Sequence, residues 1–245
     1  MKDATESTLG FEPIAPSRAF EEIAAQIREL VASGRLKPGD RLPAERDLSA
    51  KFNVSRNTLR EALRALELSG MIELRKGAAG GAFVLPGSSG VVVNGMRDLY
   101  HLGAIKPEHL TEARTWLSEI VVRVACERLT QEDLDALEAN VALAARATKS
   151  GSFVERARLH QEFHKLLAAA TRNPIIEIVM EGVMEVMQEF IKAIGPSTND
   201  YTLPSRRRLL KHLQARDSEA AVAEMTKFLG RLQANYMQLW NSRKK

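Results

Sequence analysis

Apolar residues recur at intervals of three and four along most of the chain, and this spacing predicts a mainly α-helical protein. The clearest example follows Ser55, where one apolar face is formed by Leu59, Ala62, Leu63 and Leu66. Ser55 is a favoured N-cap residue, and Gly70 is a favoured residue just past a helix end. Arg56, Arg60 and Arg64 repeat every four residues on a different face. The pattern alone leaves two interpretations open: an amphipathic surface helix with solvated arginines, or a helix that reads DNA.

The segments around this helix complete a small domain. They predict a helix capped by Ser17, a shorter second helix and a β-hairpin, with bounds of 18–33, 44–52, 71–75 and 82–85. Only two residues separate the shorter helix from Ser55, which is typical of a helix-turn-helix. The hairpin is expected to lie beside it as a wing. We therefore predict a winged helix-turn-helix over 17–85, preceded by a flexible leader at 1–16.

Composition changes at residues 86–95, which are rich in glycine, serine and valine and predict a linker. Beyond it the pattern is helical throughout. Capping residues, prolines and glycines place the helices at 96–102, 107–129, 131–149, 153–171, 174–194, 203–215 and 218–240. Their short connections predict an antiparallel all-α bundle over 96–245.

Overall composition adds only limits. The 245 residues are 44% hydrophobic and 5% aromatic, which favours helices packed on helices, and the net charge of +4 permits an anionic partner. The single cysteine, Cys126, excludes an intramolecular disulfide and is predicted to be a small buried side chain. No stretch is long enough to span a bilayer, and the N-terminus has no apolar signal region. We therefore expect a cytoplasmic protein with no membrane partner.

The N-terminal domain carries a resemblance to a known family. Its marks are Gly34-Arg-Leu-Lys-Pro-Gly-Asp-Arg-Leu-Pro-Ala-Glu-Arg46, Val54-Ser-Arg-Asn-Thr-Leu-Arg60-Glu-Ala-Leu-Arg-Ala-Leu and the hairpin Gly77 to Val84. These stretches resemble the DNA-binding domain of the GntR family of bacterial transcription regulators. The resemblance implies that Arg46, Arg56 and Arg60 contact DNA, and that a polar wing-tip residue near Lys76 enters the minor groove. The family's tip often reads Gly-Arg-Gly-Thr, whereas this tip reads Gly-Ala-Ala-Gly-Gly, so a smaller contribution of the wing is expected.

The residue types in the Ser55 helix suit this role. Arginine can contact guanine O6 and N7 with two hydrogen bonds, and each such pair is worth about 1–3 kcal/mol of discrimination between bases. Asn57 is suited to adenine, while Ser55 and Thr58 are suited to phosphate contacts that set the register. Residues 34–76 contain ten Lys and Arg against six Asp and Glu. This excess is modest, so we expect tight binding only for a homodimer on a near-palindromic operator.

Four polar residues fall within apolar stripes of the C-terminal helices: Arg114, His160, His164 and Arg206. Arginine inside a bundle is costly without a partner, so this set predicts a polar cavity. Alternatives remain open. The histidines are equally consistent with satisfied core residues, and Arg206 is consistent with a solvated basic run that continues through Arg207 and Arg208.

This half resembles the all-helical effector domain (FCD domain) of the FadR-type branch of the GntR family. The marks are Leu110-Thr-Glu-Ala-Arg114, Phe163-His164 and Asn173-Pro174. Many members hold a divalent metal with one Asp and three His, and the matching positions here are His160, His164, Arg206 and Phe228. Phenylalanine cannot coordinate a metal and arginine repels a cation, so we predict no metal and no other cofactor. Arg114, Arg206 and the His pair are instead expected to bind a small organic or sugar acid as effector.

These expectations define a ligand-responsive, DNA-binding transcription regulator, with repression as the expected action. Two other classes remain for comparison. An enzyme using His160 and His164 lacks a third metal ligand, an activated nucleophile and an oxyanion loop, so we expect no enzymatic activity. An architectural DNA-binding protein without an effector does not explain charged residues inside the bundle.

Overall fold

The structure is a computed structural model that describes residues 19–77, 79–195 and 200–243. The chain divides into two compact units, with the boundary between Val91 and Val92. This boundary lies within residues 86–95, the stretch that the sequence predicts as a linker.

The first unit consists, in its described part, of three helices and a two-stranded sheet. These are α1 (Ala19–Ala32), α2 (Glu45–Lys51), α3 (Arg56–Leu68), β1 (Ile72–Arg75) and β2 (Gly81–Val84). The centre of the core is formed by side chains that are at most 1% exposed: Ile27, Leu59, Leu63, Leu66 and Ile72. Burial of a side chain of this size contributes about 1.5–3 kcal/mol, so the apolar stripe of α3 is what holds it against α1 and β1. The predicted cap Ser17 and the predicted leader at 1–16 lie outside the described residues.

Local signals set both ends of α3. The Ser55 hydroxyl accepts a hydrogen bond from the backbone N–H of Thr58 at 3.1 Å. Gly70 has φ +70° directly after the helix, a conformation that costs glycine little. The turn between α2 and α3 contains Asn53 at φ +53°, which asparagine tolerates better than most residues. The predicted helix-turn-helix is confirmed.

The strands β1 and β2 pair antiparallel and form the predicted wing. The turn at Pro38-Gly39 also joins this sheet, which the sequence did not indicate. The backbone N–H of Gly39 donates to Val84 O, and that of Leu42 donates to Ala82 O, both at 2.8 Å. The segment is too short to show an alternating apolar pattern, so only its hydrogen bonds reveal that it ties the wing to the residues before α2.

Helix α4 (Gly90–His101) corrects one prediction. The sequence predicts a linker up to residue 95 and a helix from Met96, whereas the helix begins at Gly90. The residues concerned are two glycines, an asparagine and three valines, all of low helix propensity, and this composition disguised the helix. Val93 is only 7% exposed, so the packing of its side chain offsets the weak propensity.

The second unit continues with α5 (Pro107–Arg128), α6 (Gln131–Lys149), α7 (Phe153–Ala169), α8 (Pro174–Ile194), α9 (Thr202–Gln214) and α10 (Ser218–Arg243). Wherever the connections are fully described, short turns join these helices, and the second unit is the predicted all-α bundle. The largest side chains at its centre are fully buried: Phe163, Phe190, Leu137, Leu167, Met180 and Met184. Cys126 is buried, as predicted.

Capping side chains account for the agreement between predicted and observed helix starts in the bundle. Thr130 and Asp133 form a reciprocal capping box at the start of α6. The Asp217 carboxylate accepts from the backbone N–H of Ala220 at 3.0 Å at the start of α10. Within the described ranges, no helix has the length and apolar character needed to cross a membrane.

Candidate functional site

The predicted DNA-contact residues of α3 lie at the surface of the first unit. Ser55, Arg56, Asn57 and Arg60 are exposed, and Thr58 is half-buried. They occupy the first turns of the helix, where the backbone N–H groups of Arg56 and Asn57 precede the first intrahelical hydrogen bonds and can meet phosphate oxygens. The apolar face of α3 is buried, so the face that carries these polar residues is the one that α3 can present to a DNA groove.

An exposed ion pair links the two helices of the helix-turn-helix. Arg60 Nε donates to a carboxylate oxygen of Glu45 at 2.8 Å. An exposed pair of this kind contributes about 0–1 kcal/mol to stability, so its main effect is on the direction of the guanidinium. Glu45 was not among the predicted site residues, although it directly precedes Arg46, which is exposed at the start of α2.

The wing presents a second basic surface. Two guanidinium groups lie near the Phe83 ring, with the carbon of Arg75 at 4.3 Å and that of Arg41 at 5.8 Å from the ring centroid. Arg41 also donates to the backbone carbonyl of Gly80 in the wing tip. Lys76 is exposed where the tip begins. Arg41 and Arg75 were not predicted, because their placement depends on pairing within the sheet.

Inside the second unit, α5, α7 and α9 bring together the four predicted effector residues. Arg114 Nη2 lies 2.8 Å from His160 Nε2 and 3.0 Å from His164 Nε2. Arg206 Nη2 lies 2.6 Å from His160 Nδ1, and its guanidinium carbon is 4.5 Å from the centroid of the Phe163 ring. The two arginines are each 3% exposed, and His164 is 2% exposed. We refer to Arg114, His160, His164 and Arg206 as the cationic cluster.

Burial decides between the two interpretations of Arg206. Arg207 and Arg208 are exposed, and Arg208 donates to Glu224 at 2.9 Å. Arg206 instead faces the interior of the bundle. The alternative of a solvated basic run is therefore wrong for Arg206 and correct for its two neighbours.

The cationic cluster has more hydrogen-bond donors than acceptors. A neutral imidazole has one acceptor nitrogen and one N–H group. Both ring nitrogens of His160 face arginine N–H groups, so one of the two contacts brings a donor toward a donor. In addition, Nε of Arg114 is buried without a hydrogen-bond partner.

No carboxylate balances the charge of the cluster: among the ion pairs of the described residues, none involves Arg114 or Arg206. Burial, together with the nearby charge of Arg114, lowers the pKa of Arg206 to about 9. Burial also lowers the pKa of Arg114. Burial and the two arginines lower the pKa of His160 and of His164 well below the usual range. The histidines are therefore neutral at pH 7, and the arginines carry the positive charge.

A cavity of about 90 Å³ lies beside the cluster. His160 and Arg206 form part of its wall, together with Arg156, Thr148 and Thr202. Arg156 was not predicted as a site residue. The signal that could have found it is its position on α7, four residues before His160 and therefore on the same helix face.

The residues of the cluster do not fit the divalent metal that the family resemblance implies. Arg206 stands at the third ligand position, with Nη2 against His160, and the Phe228 ring lies 6.0 Å from the His160 ring. The described part of the chain contains no group of three or more His, Cys, Asp or Glu that could hold a metal ion. A guanidinium in contact with a ligand nitrogen repels a cation.

We expect the purified protein to contain far less than one zinc or nickel ion per chain, and EDTA to leave its melting temperature unchanged, because no residue in the described ranges supplies a third ligand beside the two histidines. Elemental analysis by mass spectrometry measures the first quantity and differential scanning fluorimetry the second. One tightly held ion per chain, or a melting temperature lowered by EDTA, contradicts the prediction.

A winged helix-turn-helix with exposed arginines and an all-helical unit with a buried cationic cluster together define a class, that of transcription regulators. Residues 19–84 match the family model "Bacterial regulatory proteins, gntR family", and residues 109–231 match the model of the FCD domain. The chain therefore belongs to the GntR family of bacterial transcription regulators and carries an FCD domain. Its domains and relatives are transcription regulators, not enzymes.

Several characterised and uncharacterised regulators are similar in sequence. The Uxu operon transcriptional regulator of Escherichia coli K12 is 31% identical over 159 residues, which cover 65% of this chain but only 61% of that regulator. The HTH-type transcriptional repressor NanR of Cronobacter sakazakii is 30% identical over 188 residues, covering 75% of this chain and 70% of NanR. YcbG of Bacillus subtilis, an uncharacterised HTH-type regulator, is 27% identical over 209 residues, covering 85% and 86% of the two chains.

Solved structures share the fold. GntR of Streptococcus agalactiae superposes with a TM-score of 0.67 at 22% identity, covering 88% of this chain and 99% of that one. McbR/YncC of Escherichia coli superposes with a TM-score of 0.51 at 20% identity, covering 92% and 100%. At these identities the likeness extends to the fold alone.

Proposed function

We propose that the protein is a cytoplasmic repressor that binds a near-palindromic operator as a homodimer and is modulated by a small organic or sugar acid. The acid binds the cationic cluster. When it binds, the spacing of the two recognition helices changes, and they no longer fit successive major grooves about 34 Å apart.

The observation that carries the proposal is a pair of buried arginines that have no carboxylate partner among the described residues. Removing a charged group from water is costly unless an opposite charge or several hydrogen bonds compensate it. A carboxylate accepts two parallel hydrogen bonds from one guanidinium, and it supplies the acceptors that the cluster lacks. The neutral histidines can rotate or change tautomer to donate to the same anion.

Exposed features of both units support the DNA-bound homodimer. Arg46 on α2 and Arg56 and Arg60 on α3 face solvent in the first turns of their helices, yet the local excess of basic residues is modest. Two copies on one operator double the number of phosphate and base contacts. In the bundle, Trp116 and Ile120 lie one turn apart on α5 with exposures of 58% and 52%, which is an apolar surface that a second copy can cover.

The sign of regulation rests on the relatives. NanR of Cronobacter sakazakii and NanR of Escherichia coli are named as transcriptional repressors. We therefore propose that this protein also acts as a repressor.

Arg114→Met tests the effector site, because it removes one of the two buried charges and keeps much of the side-chain volume. A ligand at one hundred times its Kd adds about 2.7 kcal/mol of stability, which corresponds to about 5–10 °C in melting temperature for a chain of this size. We expect such a shift in the wild type with at least one member of a panel of organic and sugar acids. We expect none in the variant. Differential scanning fluorimetry at matched ionic strength measures both.

Arg207→Met is the matched control, since Arg207 is exposed on the same helix as Arg206 and outside the cluster. This variant is expected to respond to acids as the wild type does. If the acid raises the melting temperature of Arg114→Met as much as that of the wild type, the acid does not bind at the cationic cluster. The absence of any shift across the panel would overturn the proposed effector class.

A further inference from the structure

Arg156 also lines the cavity, although it is not part of the cationic cluster. It lies on α7 one turn before His160, and both residues line the same cavity. The side chain is half-buried, and its Nε is shielded from solvent without a hydrogen-bond partner. Among the described residues, no ion pair involves Arg156. The nearest arginine along the helix, Arg158, is in contrast exposed and paired with Glu155 and Glu162.

The cavity therefore has a cationic group at two places. Arg206 and His160 form one, and Arg156 forms the other. Arg156 and His160 both lie on α7, where four residues of helix rise by about 6 Å, so their backbone positions are about one helical turn apart. Arg206, on α9, contacts His160 at one end of this separation. Between and around them the wall is largely apolar, with Ala157 and Leu203 among its residues. Asp200 contributes the one carboxylate among the lining residues of the described chain, and it is exposed.

We infer that the cavity binds a dicarboxylate, with one carboxylate at the cationic cluster and the second at Arg156. This inference rests on the proposed function, because it assigns the second end of the same ligand. A chain of about four to six carbons spans the rise of one helical turn. The second carboxylate accepts from the Arg156 guanidinium, including the otherwise unpaired Nε, and its charge is desolvated against the apolar wall.

A monocarboxylate of the same length provides no second carboxylate, so the Arg156 guanidinium gains no hydrogen-bond partner from it. The dicarboxylate adds a charge-assisted hydrogen-bonded pair in a partly buried position, which is among the stronger polar interactions in proteins. We therefore expect dicarboxylates to bind at least about tenfold more tightly than matched monocarboxylates. Arg156 is thus a specificity-determining residue for the effector.

The experiment compares two matched pairs of probes on the full-length protein: adipate with hexanoate, and glucarate with gluconate. Isothermal titration calorimetry at constant ionic strength gives each Kd. In the wild type, the dicarboxylate of each pair is expected to bind at least about tenfold more tightly. In Arg156→Gln this preference is expected to vanish while the affinity for the monocarboxylate stays unchanged. Arg156→Lys retains the charge and is expected to retain part of the preference.

Arg158→Gln is the control, because it removes an exposed arginine from the same helix outside the cavity. It is expected to leave all four dissociation constants unchanged, and the melting temperature without acids shows whether each variant is folded. Equal binding of both members of each pair overturns the dicarboxylate inference and leaves the proposed function intact. A loss of affinity for both members in Arg156→Gln also overturns the inference, since Arg156 then serves the cluster rather than a second carboxylate. No binding of any of the four acids, with Arg114→Met indistinguishable from the wild type, overturns the inference and the proposed effector class together.

Discussion

Arg56→Ala is expected to weaken operator binding by between about 30-fold and about 10⁴-fold, because the proposed homodimer loses two contacts of about 1–3 kcal/mol each. Arg56 is exposed in the first turn of α3, and among the described residues it has no ion pair or side-chain hydrogen bond. Its guanidinium is therefore free to meet a base edge. The side chain does not touch the core, so the variant is expected to fold normally.

Selection from random DNA duplexes supplies the operator, and electrophoretic mobility shift at fixed salt gives the affinity. The selected sequence is expected to be an inverted repeat, and sedimentation of the complex is expected to give two chains per site. Loss of a base contact relaxes the preference at one position of each half-site, whereas loss of a phosphate contact weakens binding evenly and lowers the dependence on salt. These two signatures separate the roles of individual arginines.

Arg64→Ala is the matched control on the same helix, since Arg64 is exposed but lies two turns from the helix start. We expect a small and sequence-independent loss for this variant. Unchanged affinity and an unchanged selected sequence for Arg56→Ala would refute α3 as the helix that reads the operator.

The second large effect is a loss of stability in mild acid. The pKa values of His160 and His164 are lowered by burial and by the adjacent arginines, so both stay neutral in the folded protein. In the unfolded chain they take up protons below pH about 6.5. The unfolded state then binds more protons, so stability is fully present above that pH and is lost as the pH falls through it. For two histidines the free energy of unfolding is expected to fall by about 2.5 kcal/mol between pH 7 and pH 5.5.

Urea unfolding at the two pH values, in buffers without carboxylates, measures this loss. The double variant His160→Gln, His164→Gln is expected to lose most of the dependence in this window, whereas His109→Gln, which removes an exposed histidine, is expected to keep it. Carboxylates act at lower pH: the hydrogen bond from Arg208 lowers the pKa of Glu224, so its contribution is lost only below the ordinary range of a glutamate. An unchanged dependence on pH in the double variant would contradict the prediction that both histidines are neutral in the folded protein.

Both predictions concern residues that the sequence identified, but they differ in how much the sequence could say. For α3, the cap at Ser55, the glycine after the helix and the arginine spacing are all local, and they predict which side faces solvent. For the cluster, the apolar stripes predict buried polar residues on three separate helices. They do not predict that both nitrogens of one histidine meet two arginines.

The two predictions that were wrong or incomplete also concern features that depend on tertiary packing rather than on local sequence. The start of α4 was missed because glycine, asparagine and valine have low helix propensity, whereas the burial of Val93 depends on tertiary packing. The backbone hydrogen bonds that join Gly39 and Leu42 to the wing were missed because they connect residues about forty positions apart. Neither effect is visible in a window of ten or twenty residues.

The sequence by itself determined the order of the elements, the winged helix-turn-helix, the all-helical second unit and the family. Caps, apolar periodicity and turn residues act over a few positions, so they can be read along the chain. Only the tertiary structure decided that Arg206 is buried while Arg207 and Arg208 are exposed, and that Arg156 shares a cavity with the cluster. These outcomes depend on how α5, α7 and α9 pack together, and close packing between distant segments is a property that no single segment contains.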